Sequence, residues 1–240
     1  MNATPGTTIG EIVSGDYRAA AVFQKYGIDF CCGGGRTVED ACRAKQIDAA
    51  AVLGDVAREC AVTDTQAPQY GTWEPSALVA YIVSKHHAYV RRALPAITAY
   101  TQKLAQVHGA NHPELLQVDR LFAGVTAEMT SHMMKEERIL FPFIVELQEA
   151  AERGGPAPVI PFGTVANPIH MMEEEHESAG AAMARIRELT GGYTVPGDGC
   201  TTYRVGLQEL EQFEQDLHAH VHLENNILFP KALKLEAELR

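Results

Sequence analysis

From about residue 75 onward, apolar residues recur every three or four positions in four long runs, near 75–107, 113–151, 164–190 and 201–239. That spacing marks amphipathic helices, each burying one stripe. In the last run Leu210, Phe213, Leu217, His220, Glu224 and Ile227 share a face. In the second, Val118, Leu121, Val125, Met129, His132, Glu136, Ile139 and Phe143 align. The third aligns Ile169, Met172, His176, Ala179, Met183 and Ile186, and the first Val83, His87, Val90, Leu94 and Ile97. The breaks are rich in glycine and proline: His108 to Pro113, Gly154 to Pro158, and Gly191 to Gly197. Short loops between long helices favour antiparallel neighbours, so an all-α fold with an antiparallel four-helix bundle over 75–240 is expected.

The pattern before the bundle is finer. Residues from about 7 to 61 predict short helices. Thr8 is placed to cap the first and Asp16 the second, which carries Tyr17, Ala20, Val22, Phe23 and Tyr26. Thr37-Val38-Glu39-Asp40 resembles a capping box with a shorter acid, and Asp48 precedes an alanine-rich run ending near Cys60. Between them lies Asp29-Phe30-Cys31-Cys32-Gly33-Gly34-Gly35, whose glycines end any helix and let the chain turn. Residues 62–74 have no helical period and predict a linker. The expected division is therefore a small helical domain at 1–61, a linker at 62–74 and the bundle at 75–240.

Composition excludes several partners. Thirty-one acidic against 20 basic residues give a net charge of −11, unfavourable for nucleic acid or an anionic membrane surface. No stretch approaches the ~20 apolar residues of a membrane span, and the N-terminus lacks a secretory pattern. Five cysteines, two of them adjacent, do not make a disulfide framework. A cytoplasmic setting is the natural expectation.

The candidate chemistry lies in a sentence written twice. His132 and Glu136 precede Ile139-Leu140-Phe141-Pro142, and His220 and Glu224 precede Ile227-Leu228-Phe229-Pro230. Residues i and i+4 stack on one helix face, so each pair presents an imidazole and a carboxylate to one point. His87 lies 45 residues before His132, and His176 lies 44 before His220, so the bundle repeats internally. Register puts His87, His132, Glu136, His176, His220 and Glu224 on inward faces. His86 has a poorer stripe with Ile82 and Ala93, which leaves the choice between His86 and His87 open. His218, His222 and His170 fall on wet faces, and His108 and His112 at a helix break. Two buried carboxylates without a compensating cation are expensive, so these residues point to metal. Four imidazoles and two carboxylates suit borderline transition metals rather than calcium or magnesium. Divided between two ions they give two His each, with both Glu as bridges. Iron is the usual occupant of such bundle cores; zinc and manganese remain open on ligand type.

The His-x-x-x-Glu helices resemble the hemerythrin family. Its oxygen-carrying members have more His ligands and an Asp on the last helix, where this chain has His220 and Glu224. The fuller resemblance is to the di-iron proteins of iron–sulfur cluster repair (ScdA/YtfE type). It rests on Gly27-Ile28-Asp29-Phe30-Cys31-Cys32-Gly33-Gly34, on Ser131-His132-Met133-Met134-Lys135-Glu136-Glu137, on Glu175-His176 and on His220-x-x-x-Glu224-Asn225-Asn226. The resemblance implies the same six ligands, two non-haem irons with an oxo or hydroxo bridge, and restoration of clusters damaged by nitric oxide or peroxide. Damaged or apo iron–sulfur proteins would then be the partners, and a homodimer is a family-level expectation.

Cys31 and Cys32 are candidate functional thiols. Neighbouring cysteines sit about 3.8 Å apart at Cα, below the usual span of a disulfide. An exposed pair on a flexible loop can bind soft metal, take up a nitrosyl or exchange disulfides, and the small domain is expected to dock on the bundle with these thiols toward the iron. Cys42, Cys60 and Cys200 have no partner pattern and are expected to be packing or surface residues. Three functions follow: iron supply to damaged clusters, nitric oxide reduction to nitrous oxide by an enzyme drawing on an external electron donor, and sensing of oxygen or nitric oxide.

Overall fold

The computed structural model describes residues 3–61, 68–159 and 162–240. Residues 62–67, within the expected linker, lie outside the described residues. The fold is all-α: the described residues form helices and turns, joined once by an isolated bridge between Thr8 and Thr37. None of these helices is long and apolar enough to cross a membrane. The chain divides into two compact units. One comprises Met1–Val79, Ile144–Pro161 and His218–Arg240, the other Ala80–Phe143 and Phe162–Leu217.

The second unit is a bundle built from four helical stretches. Its parts are α6 (Ala88–His108), α7 (Glu114–Lys135), α9 (Ala166–Leu189) and the first seventeen residues of α10 (Thr201–Leu223). Helix α7 packs against both α6 and α9. Most of the expected stripes close the core: Leu94, Ile97, Val118, Val125, Ile169, Met183, Leu210 and Phe213 are buried, but in α7 it is Phe122 that is fully buried, and Leu121, expected inward, is half-buried. Phe122 and Phe213 meet edge to face, centroids 5.4 Å apart, the favoured aromatic geometry. Gly206 lets α10 approach closely; a Cβ there would sit 3.0 Å from Leu104 Cδ1. Gly191 and Gly192 take positive φ after α9, and their N–H groups return to Glu188 and Arg187, the usual helix-ending motif.

The first unit holds the short helices α1 (Ile9–Gly15), α2 (Ala19–Lys25), α3 (Val38–Lys45) and α4 (Ala49–Glu59). It also contains most of α8 (Phe141–Arg153), the last residues of α10 and all of α11 (Phe229–Leu239). Thr8, Thr37 and Asp48 cap α1, α3 and α4 as their sequence predicts. Asp16 does not cap α2: its carboxylate is taken by the Arg18 guanidinium, and the helix begins at Ala19. Lys231 Nζ donates to the Trp73 carbonyl at 2.6 Å, and Ser76 N–H to Gln148 at 2.8 Å.

Among the described residues, three helices widen into single π turns: Ile82–His87, which follows α5 (Pro75–Tyr81), Glu136–Leu140 and Glu224–Leu228. The last two close with Phe141 N–H on the Glu136 carbonyl and Phe229 N–H on the Glu224 carbonyl. Pro142 and Pro230 follow at once. A proline brings no N–H and leaves a carbonyl one turn back without its α-helical partner, so the wider turn sacrifices little there. The extra residue rotates the helix. Ile139, expected inward, is 50 % exposed beside buried Leu140, whereas Ile227, at the same place in the last π turn, is buried as expected.

Candidate metal centre

Every π turn carries or adjoins a candidate ligand. His86 and His87 end the first, and the other two begin on Glu136 and Glu224. The two consecutive histidines of the first turn are both buried. They are used differently: His86 Nδ1 lies 3.0 Å from Asp216, while His87 directs Nε2 to Glu136 Oε2 at 3.3 Å.

Within the four-helix unit, His87, His132, Glu136 and His176 come together, each buried. His132 Nε2 lies 3.2 Å from the same Glu136 Oε2 and 3.0 Å from His176 Nε2. The donor atoms of His132, Glu136 and His176 all fall within 4.8 Å of one another. The opposite ring nitrogens fix the tautomers. His87 Nδ1 donates to Glu137 Oε1 at 2.6 Å, and His132 Nδ1 to Glu175 Oε2 at 2.9 Å. A neutral ring that donates from Nδ1 offers a lone pair at Nε2. Lone pairs of His87 and His132 thus face one carboxylate oxygen, and that of His132 faces a third imidazole. His176 Nε2 can donate to His132, but at the Glu136 oxygen acceptor faces acceptor, and a shared cation reverses the sign of that contact. Metal bonds of about 2.0–2.2 Å place neighbouring donors about 3.0–3.4 Å apart, which is the spacing found. The residues fit a divalent transition metal.

Outer partners brace these side chains. Arg91 pairs with Glu137, and Lys135 with Glu175. Burial by itself raises both carboxyls, but the hydrogen bonds outweigh it and hold them below their ordinary value: His87 and Arg91 for Glu137, Lys135 and His132 for Glu175. Both stay anionic and keep the imidazoles basic toward metal. Phe141 stacks on His87 at 5.7 Å. Sequence reading used Glu137 and Glu175 only as motif letters; their position beside an inward histidine one helix away was the missing information.

The remaining pair lies in the other unit. His220 Nε2 is 3.0 Å from Glu224 Oε1, and both side chains are fully buried. In that unit the cysteine loop packs on the same helical run. Cys31 is buried, contrary to the expected exposed pair, and Cys32 is half-buried. Asp29 Oδ1 accepts both cysteine N–H groups, at 2.9 and 3.0 Å, and the Cys31 thiol at 3.2 Å. Asp29, Cys31 and Cys32 form a further potential ligand group. The neighbouring Cys32 thiol, with burial and Asp29, pushes the Cys31 thiol well above its ordinary range. Asn226 Nδ2 clamps the loop, within 3.2 Å of the Phe30 carbonyl, 3.1 Å of the Cys31 carbonyl and 3.1 Å of His222 Nδ1.

His222, expected on a wet face, is fully buried between Tyr17 and Phe30. Burial drives its pKa down to about 4, so it is neutral. The helix period is right, but the small N-terminal helices cover that face.

Fold and ligand chemistry together define a helical-bundle metal protein of the hemerythrin class. The family described as hemerythrin HHE cation binding domain matches residues 78–232. A second family, ScdA_N, described as a domain of unknown function, matches residues 5–58. Among curated proteins, the iron-sulfur cluster repair protein ScdA of Staphylococcus haemolyticus is 31% identical over 228 residues, covering 95% of this chain and 98% of that protein. The repair protein YtfE of Musicola paradisiaca is 34% identical, covering 96% and 97%, and that of Edwardsiella ictaluri 36%, covering 94% and 96%. The chain belongs to this ScdA/YtfE family of iron–sulfur cluster repair proteins.

Proposed function

We propose that this protein restores damaged iron–sulfur clusters by supplying iron held as two non-haem ions by His87, His132, Glu136, His176, His220 and Glu224, with the two glutamates as bridges. The observation that carries the reading is the crowding of imidazole lone pairs around one oxygen of buried Glu136, at 3.2 and 3.3 Å. The repair role comes from the names of relatives that match nearly end to end.

Iron here is cargo. With two terminal histidines each and shared carboxylates, the ions are held more loosely than in a saturated cage, which suits release. Segment 1–61, joined through 62–74 to the bundle at 75–240, contributes Cys31 and Cys32 to the handover. Their sulfurs, with Asp29, offer a soft donor set for iron in transit. The partners are apo or damaged iron–sulfur proteins, and an external donor supplies any electrons.

Metal analysis of purified protein beside a His220→Ala/Glu224→Ala variant tests the site. About two irons per chain, lost in the variant, are expected. Incubating the iron-loaded protein with an apo iron–sulfur acceptor tests the function, and the acceptor is expected to gain iron within hours. An iron-free protein, or iron that stays in place, sinks the reading.

A further inference from the structure

A second cluster of titratable groups lies within the four-helix unit, where α6 gives way to α7 and the α9–α10 loop ends. It consists of His108, His112, Glu114, Asp198, Cys200 and Tyr203. Cys200 is exposed and directly precedes α10. Its sulfur lies 3.4 Å from His108 Nε2, and the nearby Tyr203 and Thr202 backbone N–H groups favour its anion. Tyr203 and the His108 ring meet in a T-shaped contact, centroids 5.2 Å apart, that orients the imidazole. His112 stands behind, its ring nitrogens engaged by Asp198 at 3.0 Å and Glu114 at 3.1 Å. The field at the sulfur is thus set by His108 and two helix N–H groups, with Asp198 occupied elsewhere. This is a nucleophile with a base in reach, a group orienting the base, and donors aimed at the anion.

The other cysteines are disposed differently. Cys31 is pushed up by its neighbour Cys32, and Cys42 and Cys60 by burial. Cys200 moves the other way, to about 7, through the Tyr203 N–H first and His108 second.

We infer that Cys200 is a second reactive centre, a His108-assisted thiolate that exchanges with small disulfides and retains one half as a mixed disulfide. The thiolate attacks one sulfur of the disulfide. That S–S bond breaks as a new one forms at Cys200, and the other half leaves as a thiolate. The proton that Cys200 gave to His108 then passes to the departing sulfur. One disulfide is consumed and one made, so no other oxidant enters. A thiol with a pKa near ambient pH is the fittest attacker for this exchange.

The test treats the iron-loaded, full-length protein with oxidised glutathione at pH 7 and maps the adduct by peptide mass. In parallel, the rate of reaction with a chromogenic disulfide is followed against pH. Cys200 is expected to be modified first, with a rate half-maximal near pH 7. The fast phase should vanish in Cys200→Ser and slow about fivefold at pH 7 in His108→Ala, as the thiolate fraction falls. Modification of Cys200 no faster than of Cys42 or Cys60 overturns the inference. So does a wild-type midpoint for Cys200 at or above about 8.5, the ordinary thiol value. The wild-type profile and Cys200→Ser decide the matter even if His108→Ala folds poorly.

Discussion

Replacing Asn226 with Ala tests how the cysteine loop is held. The Asn226 amide nitrogen has two protons and two carbonyl acceptors, Phe30 at 3.2 Å and Cys31 at 3.1 Å, with His222 Nδ1 3.1 Å away. Two bonds at a time, each worth about 1 kcal/mol net, are lost, and the carbonyls left unsatisfied add to the loss. Opening of the loop should therefore become easier by about 2–3 kcal/mol, or roughly 30–150-fold in the open population. The assay is hydrogen exchange over residues 29–35, with alkylation of Cys31 as a second probe. Both should accelerate by that factor, while the amides of α7 keep their protection. Gly34→Ala offers an independent perturbation, because a Cβ there would overlap the Asn226 amide. It should give the same loosening, and the double variant should add little to either single one. Unchanged exchange over 29–35 in Asn226→Ala would refute the clamp.

Three further outcomes are expected. Glu175→Gln replaces the acceptor of His132 Nδ1 with a weaker one; chelator extraction of the metal should quicken roughly 10–100-fold, while Glu174→Gln, an exposed neighbour, leaves it unchanged. Phe122→Ala empties the fully buried contact with Phe213 and should lower unfolding free energy by roughly 3–5 kcal/mol, read from denaturant midpoints. Buried Glu214 is raised above its ordinary 4.5 by burial, against Arg187 and the Tyr193 hydroxyl. A raised folded value gives stability that is complete below the unfolded value and lost as pH rises through the folded one. Glu214→Gln should therefore melt higher than wild type at pH 8 and equal to it near pH 4; a constant difference across that range would contradict the account.

The amino-acid sequence alone determines what depends on neighbours along the chain. The 3.6-residue period places the four long helices within a residue or two of where they lie, and Thr8, Thr37 and Asp48 mark helix starts because a cap acts on its own first turn. The twice-written His-x-x-x-Glu sentence is legible for the same reason, since i and i+4 meet by helix geometry. Tertiary structure decides the rest. The π turns at Glu136 and Glu224 widen the helix after each motif, with Pro142 and Pro230 as the available signal, and packing separates exposed Ile139 from buried Ile227. His222 is buried because Tyr17 and Phe30, about 200 residues earlier, cover it, and no period within its helix records that cover. Glu137 and Glu175 came to brace His87 and His132, and Cys200 met His108, 92 residues away, through packing between helices. A sequence writes each helix's faces, but what lies against a face is set by the whole chain burying its apolar stripes at once.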